Sequence, residues 1–147
     1  VNLVIDASVV VKFYVPEILS DNAGEVLSRV ANGELLLYAP DSVYPETGNI
    51  LWKKQRRREL TPEEVDEIVN AINALPMIIE PSKPVLPLAV SIAAQSGITV
   101  YDAMYVAIAR IYETKMITAD KKLTDALAKT EFRNDVRWLG TGALEKS

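Results

Sequence analysis

The sequence predicts an α/β domain with a mostly parallel sheet, and three observations carry that reading. Five short runs are apolar at nearly every position, as strands covered by helices on both faces must be. Amphipathic stretches with helix start and stop signals separate them. Strand and helix signals alternate to the end with no repeat, low-complexity segment or Gly/Ser linker, so residues 1–147 are expected to form a single domain. Hydrophobic residues make up 49% and charged residues 24%, ordinary globular proportions that exclude a disordered or fibrous chain.

The first strand is expected at Leu3 to Ile5. Ser20 is placed to cap a helix whose apolar face is Ala23, Val26, Leu27 and Val30, with Gly33 where a glycine would stop it. A second strand is expected at Leu35 to Tyr38, then a helix starting near Glu46 and running through Ile50, Leu51 and Trp52. Thr61-Pro62-Glu63-Glu64 combines an N-cap Thr, a Pro at the first helical position and the Glu of a capping box, and Val65, Ile68, Val69 and Ile72 follow as one apolar face. Met77 to Ile79 reads as the third strand. Pro84 to Ser96 and Tyr101 to Glu113 read as helices separated by Gly97. Met116 to Thr118, a short helix over Lys121 to Lys129, and a last strand over Val136 to Leu139 complete the series.

Composition narrows the chemistry. Cysteine and histidine are both absent, which removes disulfides, thiolate or imidazole zinc sites, and any scheme that needs a Cys nucleophile or a His base. The net charge of −4 is not that of a protein that coats nucleic acid through its whole surface, so a nucleic-acid partner requires a local basic patch. No run of 18 apolar residues occurs and the first residues lack a signal-peptide pattern, so no membrane partner is expected and the cytoplasm is the expected compartment.

Open α/β sheets place their sites beyond the carboxyl ends of the strands. The first predicted strand exits into Asp6-Ala7-Ser8 and the fourth through Thr118-Ala119-Asp120, each delivering a carboxylate with a hydroxyl two residues away. Glu46 stands at a helix start with apolar neighbours at helical spacing, and Asp102 heads an apolar helix with no other charge before Arg110. Singly, Asp6, Asp102 and Asp120 could each cap a helix and Glu46 could be a helix-start charge. Together, at two strand exits and two helix starts, they point to a shared site.

In that order and spacing the motifs Val4-Ile5-Asp6-Ala7-Ser8, Glu46, Tyr101-Asp102-Ala103 and Ile117-Thr118-Ala119-Asp120 resemble the PIN domain family, in particular the VapC toxins of prokaryotic toxin–antitoxin pairs. The resemblance implies a parallel five-stranded sheet of order 3-2-1-4-5 with helices on both sides. It also implies an endoribonuclease in which Asp6, Glu46, Asp102 and Asp120 bind Mg²⁺ or Mn²⁺ and cut RNA, with Ser8 and Thr118 as supporting hydroxyls. A cognate antitoxin, whose Arg would enter the acidic crevice, and a homodimer are further implications. The competing reading is a PIN-like module that binds RNA or a partner without cutting. A haloacid-dehalogenase-type phosphatase would need an Asp where Ser8 stands, and a receiver domain would need a phosphoacceptor Asp at the third strand, where the chain reads Ile78-Ile79-Glu80-Pro81.

The chemistry of the four acids supports a hard cation. Two carboxylates about 4 Å apart repel by roughly 4 kcal/mol at an effective dielectric of 20, and oxygen-only ligands favour Mg²⁺ or Mn²⁺. Setting the four aside leaves sixteen acidic residues against sixteen basic ones, so the charge excess equals the proposed cluster. The basic counterpart is Lys53-Lys54-Gln55-Arg56-Arg57-Arg58, either a contact for an RNA backbone or a solvated helix end complementing the dipole. Lys12, one turn after Ser8, is positioned to reach a phosphate or to be a surface lysine. Tyr44, Tyr101 and Tyr105 are candidates either for stacking on bases or for packing, and Asp125 either for an outer acid of the site or for a solvated charge.

Overall fold

The computed structural model describes residues 1–142. Its elements run β1 (Asn2–Ile5), α1 (Ala7–Lys12), α2 (Ser20–Ala31), β2 (Leu36–Pro40), α3 (Val43–Arg56), α4 (Pro62–Ala74), β3 (Met77–Glu80), α5 (Ser82–Ser96), α6 (Val100–Ile111), β4 (Met116–Thr118), α7 (Lys121–Leu127) and β5 (Val136–Trp138). The strands form one parallel sheet of order β3-β2-β1-β4-β5, as the resemblance implied.

Period-two alternation divides the interior into two cores. Leu3 and Ile5 of β1, Leu37 and Ala39 of β2, and Ile117 of β4 face a cluster with α1 to α4. Their neighbours Val4, Tyr38 and Met116 face a second cluster with α5, α6 and α7. The strands are apolar on both faces for that reason. From Ala103 to Ala109 every residue of α6 is buried, so this helix is a core element and not a surface one. No single helix among the described residues is long and apolar enough to cross a membrane.

Several boundaries differ from the sequence expectation. β2 runs Leu36–Pro40 where Leu35 to Tyr38 was expected, and β5 ends at Trp138 because Leu139 opens a 3-10 turn. Ser20 does not cap α2. Its own N–H is taken by the Glu17 carbonyl, and Leu19, held at φ +69°, offers the first helical carbonyl to Ala23. The Thr61–Glu64 capping box forms as expected, and Gly33 and Gly97 end α2 and α5 at positive φ. α5 begins at Ser82, two residues early, with the Asp41 carboxylate accepting the Ser82 N–H at 3.3 Å. α6 spans Val100–Ile111 with Thr99 as its cap, and α7 ends at Leu127. Residues 143–147 of the expected single domain lie outside the described residues.

Candidate active site

β1 and β4 are neighbours at the centre of the sheet, where strand order reverses, so their carboxyl ends open onto one crevice. Asp6 leaves β1 as the N-cap of α1, and its Oδ1 accepts the Val9 N–H at 3.2 Å. Asp120 leaves β4 as the N-cap of α7, and its Oδ1 accepts the Lys122 and Leu123 N–H groups at 3.0 and 3.3 Å. The capping alternative and the site reading therefore coexist, because a carboxylate has more acceptor capacity than a cap consumes.

The two hydroxyls bind the strand exits together. Ser8 Oγ donates to Asp6 Oδ1 at 2.5 Å and accepts the Ala119 N–H at 3.1 Å. Thr118 Oγ1 donates to Asp6 Oδ2 at 2.5 Å and accepts the Asp120 N–H at 3.0 Å. Asp6, 7% exposed, is thus fixed from both sides while the Asp120 loop is locked to it.

Glu46 sits in the first turn of α3 and Asp102 in the first turn of α6, where negative charge complements the helix dipole. Asp102 does not cap α6. Thr99 does so by accepting the Asp102 N–H at 3.1 Å, which leaves the Asp102 carboxylate for the crevice. Tyr105, one turn after Asp102 and 1% exposed, donates its hydroxyl to Glu46 Oε2 at 2.9 Å. The other Glu46 oxygen, Oε1, is buried and has no hydrogen-bond partner among the described residues; nor has Ser42 Oγ, which is close enough to ease the carboxylate's charge.

All four predicted acids line one cavity of about 280 Å³, together with Ala7, Ser8, Asn49, Ile50 and Tyr105. Burial, reinforced by the Asp102 charge, outweighs the hydrogen bonds to Asp6 and pushes its pKa up to about 6. Burial and the same Asp102 charge raise Glu46, and burial with the Asp120 charge raises Asp102. Burial and Glu46 raise the Tyr105 hydroxyl, which stays a donor at neutral pH. For all three carboxylates burial is the larger cause and the neighbouring charge the smaller one.

The donor set suits Mg²⁺ or Mn²⁺. It is all oxygen, and one buried carboxylate oxygen is unpartnered. No three acids among the described residues converge into a closed cage.

A second cavity, of about 440 Å³, adjoins the first and shares Ser8, Ile50 and Asp120 with it. Lys12, Lys53, Lys54 and Arg57 line it, so part of the predicted basic counterpart lies beside the acids. Arg56 and Arg58 do not. Arg56 lies over the Trp52 ring at 4.7 Å, and α3 has ended before Arg58, which has φ +61°. Asp125 is an exposed partner of Lys121 on α7 and does not line the crevice. Of the tyrosines, Tyr105 is buried and cannot stack on a base, Tyr44 borders a small cavity between α3 and α4, and Tyr101 is 73% exposed beside Asp102. Sequence reasoning missed the Tyr105–Glu46 bond, for which the three-residue spacing from Asp102 was the available signal, and Glu17, which lines the second cavity and pairs with Lys12 and Lys54. A larger cavity of about 570 Å³ opens at the opposite, amino-terminal edge of the sheet and holds none of the four acids.

Residues 3–129 match the PIN domain family. The chain belongs to that family. It is 35% identical over 127 residues to Ribonuclease VapC3 of Pyrobaculum aerophilum, covering 84% of this chain and 92% of the relative. The crystal structure of PAE2754 from Pyrobaculum aerophilum superposes with a TM-score of 0.70 at 21% identity, covering 96% of this PIN domain and 85% of that chain. A toxin–antitoxin complex from Klebsiella pneumoniae superposes with a TM-score of 0.58 at 12% identity, covering 92% and 95%. At such identities the two structures speak for the PIN fold alone.

Proposed function

We propose that this PIN domain is a metal-dependent endoribonuclease and the toxin of a toxin–antitoxin pair. The observation that carries the reading is the gathering of Asp6, Glu46, Asp102 and Asp120 into one cavity at the strand-order reversal. The curated relative named a ribonuclease supplies the substrate class, and the toxin–antitoxin complex among the structural neighbours supplies the partner class.

The four carboxylates are the candidate holders of Mg²⁺ or Mn²⁺, which when bound would polarise a phosphate and lower the pKa of water. The chain's own groups prepare that chemistry. Ser8 and Thr118 fix the rotamer of Asp6, and Tyr105 fixes Glu46, so the acids lose little freedom when a ligand arrives. With no histidine in the chain, a carboxylate of this set is the group left to take a proton from attacking water. Lys12, Lys53, Lys54 and Arg57 would hold the RNA backbone beside the cut.

The antitoxin is expected to close the crevice with an Arg that pairs with its carboxylates. A homodimer is favoured by the outer face of α5, where Leu86 and Val90 are about half exposed, and the cytoplasm, where RNA is found, is the proposed compartment.

The test is cleavage of end-labelled single-stranded RNA by the purified chain with Mn²⁺ or Mg²⁺ and with EDTA. Cutting that appears only with metal is the expected result. The alternative, a module that binds without cutting, draws on the absence of a closed acid cage among the described residues. RNA binding with no cleavage under any metal would establish it.

A further inference from the structure

The cavity beside the acidic crevice contains a carboxylate that the reading above leaves without a role. Glu17 lies in the connection between α1 and α2, and its two oxygens engage two different ammonium groups. Oε1 meets Lys12 Nζ at 3.1 Å and Oε2 meets Lys54 Nζ at 2.8 Å. Lys12 comes from α1 and Lys54 from α3, so one anion bridges two elements across the cavity. Against the upward push of partial burial, the bonds from Lys54 and Lys12 hold Glu17 below its ordinary pKa, and it is anionic at neutral pH.

A phosphodiester offers the same thing: one negative group with two oxygens that two ammoniums can share. The geometry points to Glu17 as a built-in stand-in for an RNA phosphate. We propose that the cavity lined by Lys12, Lys53, Lys54 and Arg57 is the subsite for the phosphate next to the scissile one, and that Glu17 occupies it until RNA displaces the carboxylate. This rests on the ribonuclease reading.

Three features support exchange over a fixed strut. The cavity is continuous with the acidic crevice through Ser8, Ile50 and Asp120, so a strand lying on Asp120 passes directly into it. Lys53 and Arg57 line the same space and have no carboxylate within ion-pair distance among the described residues, which leaves a landing charge for the incoming phosphate. Glu17 belongs to a connecting segment with Pro16 and Ile18 exposed on either side, and its side chain can swing out without breaking a helix or strand.

The consequence is a counterion effect. In the resting chain Glu17 neutralises Lys12 and shares Lys54 with Glu59, whose Oε2 lies 3.6 Å from the Lys54 ammonium, so removing the Glu17 charge frees Lys12 fully and Lys54 in part to exchange counterions for RNA. The experiment is fluorescence-anisotropy titration of labelled single-stranded RNA in EDTA, where nothing is cut, over 50–300 mM salt. The proteins are the wild type, Glu17→Gln, Lys12→Gln/Lys54→Gln and the triple variant. Glu17→Gln is expected to bind about ten-fold tighter at low salt, with a log–log salt slope steeper by roughly 0.7 to 1.4, one or two released charges. In the triple variant that gain should disappear.

Unchanged affinity and slope in Glu17→Gln would overturn the proposal, and a lowered melting temperature in that variant would then mark Glu17 as a structural tie. A gain that persists without the two lysines would overturn it as well. The two readings fail separately. Metal-dependent cutting with an unaltered Glu17→Gln slope removes the phosphate stand-in alone, whereas no RNA binding and no cutting by any variant removes the ribonuclease reading and the subsite with it.

Discussion

Asp6 concentrates the physical tension of the molecule. It is buried, it accepts hydrogen bonds from Ser8, Thr118 and the Val9 amide, and its pKa still rises from 3.8 to about 6 because burial outweighs them. The folded chain therefore holds a proton on Asp6 more tightly than the unfolded chain does. The stability from that proton is fully present below about pH 4 and is lost as pH rises through 6, a change of about 3 kcal/mol for the metal-free protein. Asp6→Asn removes the titration but keeps an acceptor for Ser8. In urea melts with EDTA, wild type should lose stability relative to Asp6→Asn by nearly that amount between pH 3 and 7. A difference that stays flat with pH would show that Asp6 is charged at no cost and that the crevice is not a strained anionic site.

Elements decide which residues reach the crevice, and here sequence and structure can be compared. The sequence showed the strands because their apolar runs are short and unbroken, and it showed α4 because its capping box is purely local. The four acids it singled out line one cavity because two ride on strand exits and two on helix starts, positions that the alternation of elements defines. It did not resolve the basic run. Lys53 to Arg58 carries charge at five of six positions, so charge alone gives no helical phase. That phase is set by the buried Val43, Thr47 and Leu51, which turn Lys53, Lys54 and Arg57 toward the cavity and Arg56 onto Trp52. Nor did it reveal Tyr105 as the partner of Glu46, because that contact joins residues 59 apart and depends on how α3 and α6 meet.

The start of α6 gives the test at this scale. Thr99 caps the helix by accepting the Asp102 N–H, so it fixes both the first turn and the acid within it. Thr99→Val should cost about 1 kcal/mol of stability, lowering Tm by roughly 2–4 °C, and should weaken metal binding by loosening the turn that holds the Asp102 carboxylate. A variant with native Tm and native metal affinity would contradict this account of how Asp102 is positioned.

Across the whole molecule, the sheet gathers opposite charges at its carboxyl edge: an acidic crevice on β1 and β4, and a basic cavity between α1 and α3. Burial and neighbouring charge raise the crevice carboxylates, and a cation that bound only the folded chain would stabilise it by mass action. Mn²⁺ at about a hundred times its dissociation constant should add about 2.7 kcal/mol, raising Tm by roughly 5–10 °C for a domain of this size. A scanning-calorimetry trace unmoved by Mn²⁺ would mean that the acids do not bind the cation together.

The four-acid crevice is the proposed site of RNA cleavage. Asp102 is the residue to change, because its charge helps to raise the pKa of both Asp6 and Glu46 and its backbone N–H, not its side chain, serves the helix cap. The measurement is Mn²⁺ binding by electron paramagnetic resonance alongside cleavage of labelled single-stranded RNA, for wild type and Asp102→Asn. The account predicts that the variant melts no lower than wild type in EDTA, yet loses most of its Mn²⁺ affinity and at least a hundred-fold of its cleavage rate. A folded Asp102→Asn that cuts RNA as fast as wild type would place the chemistry somewhere else on the chain.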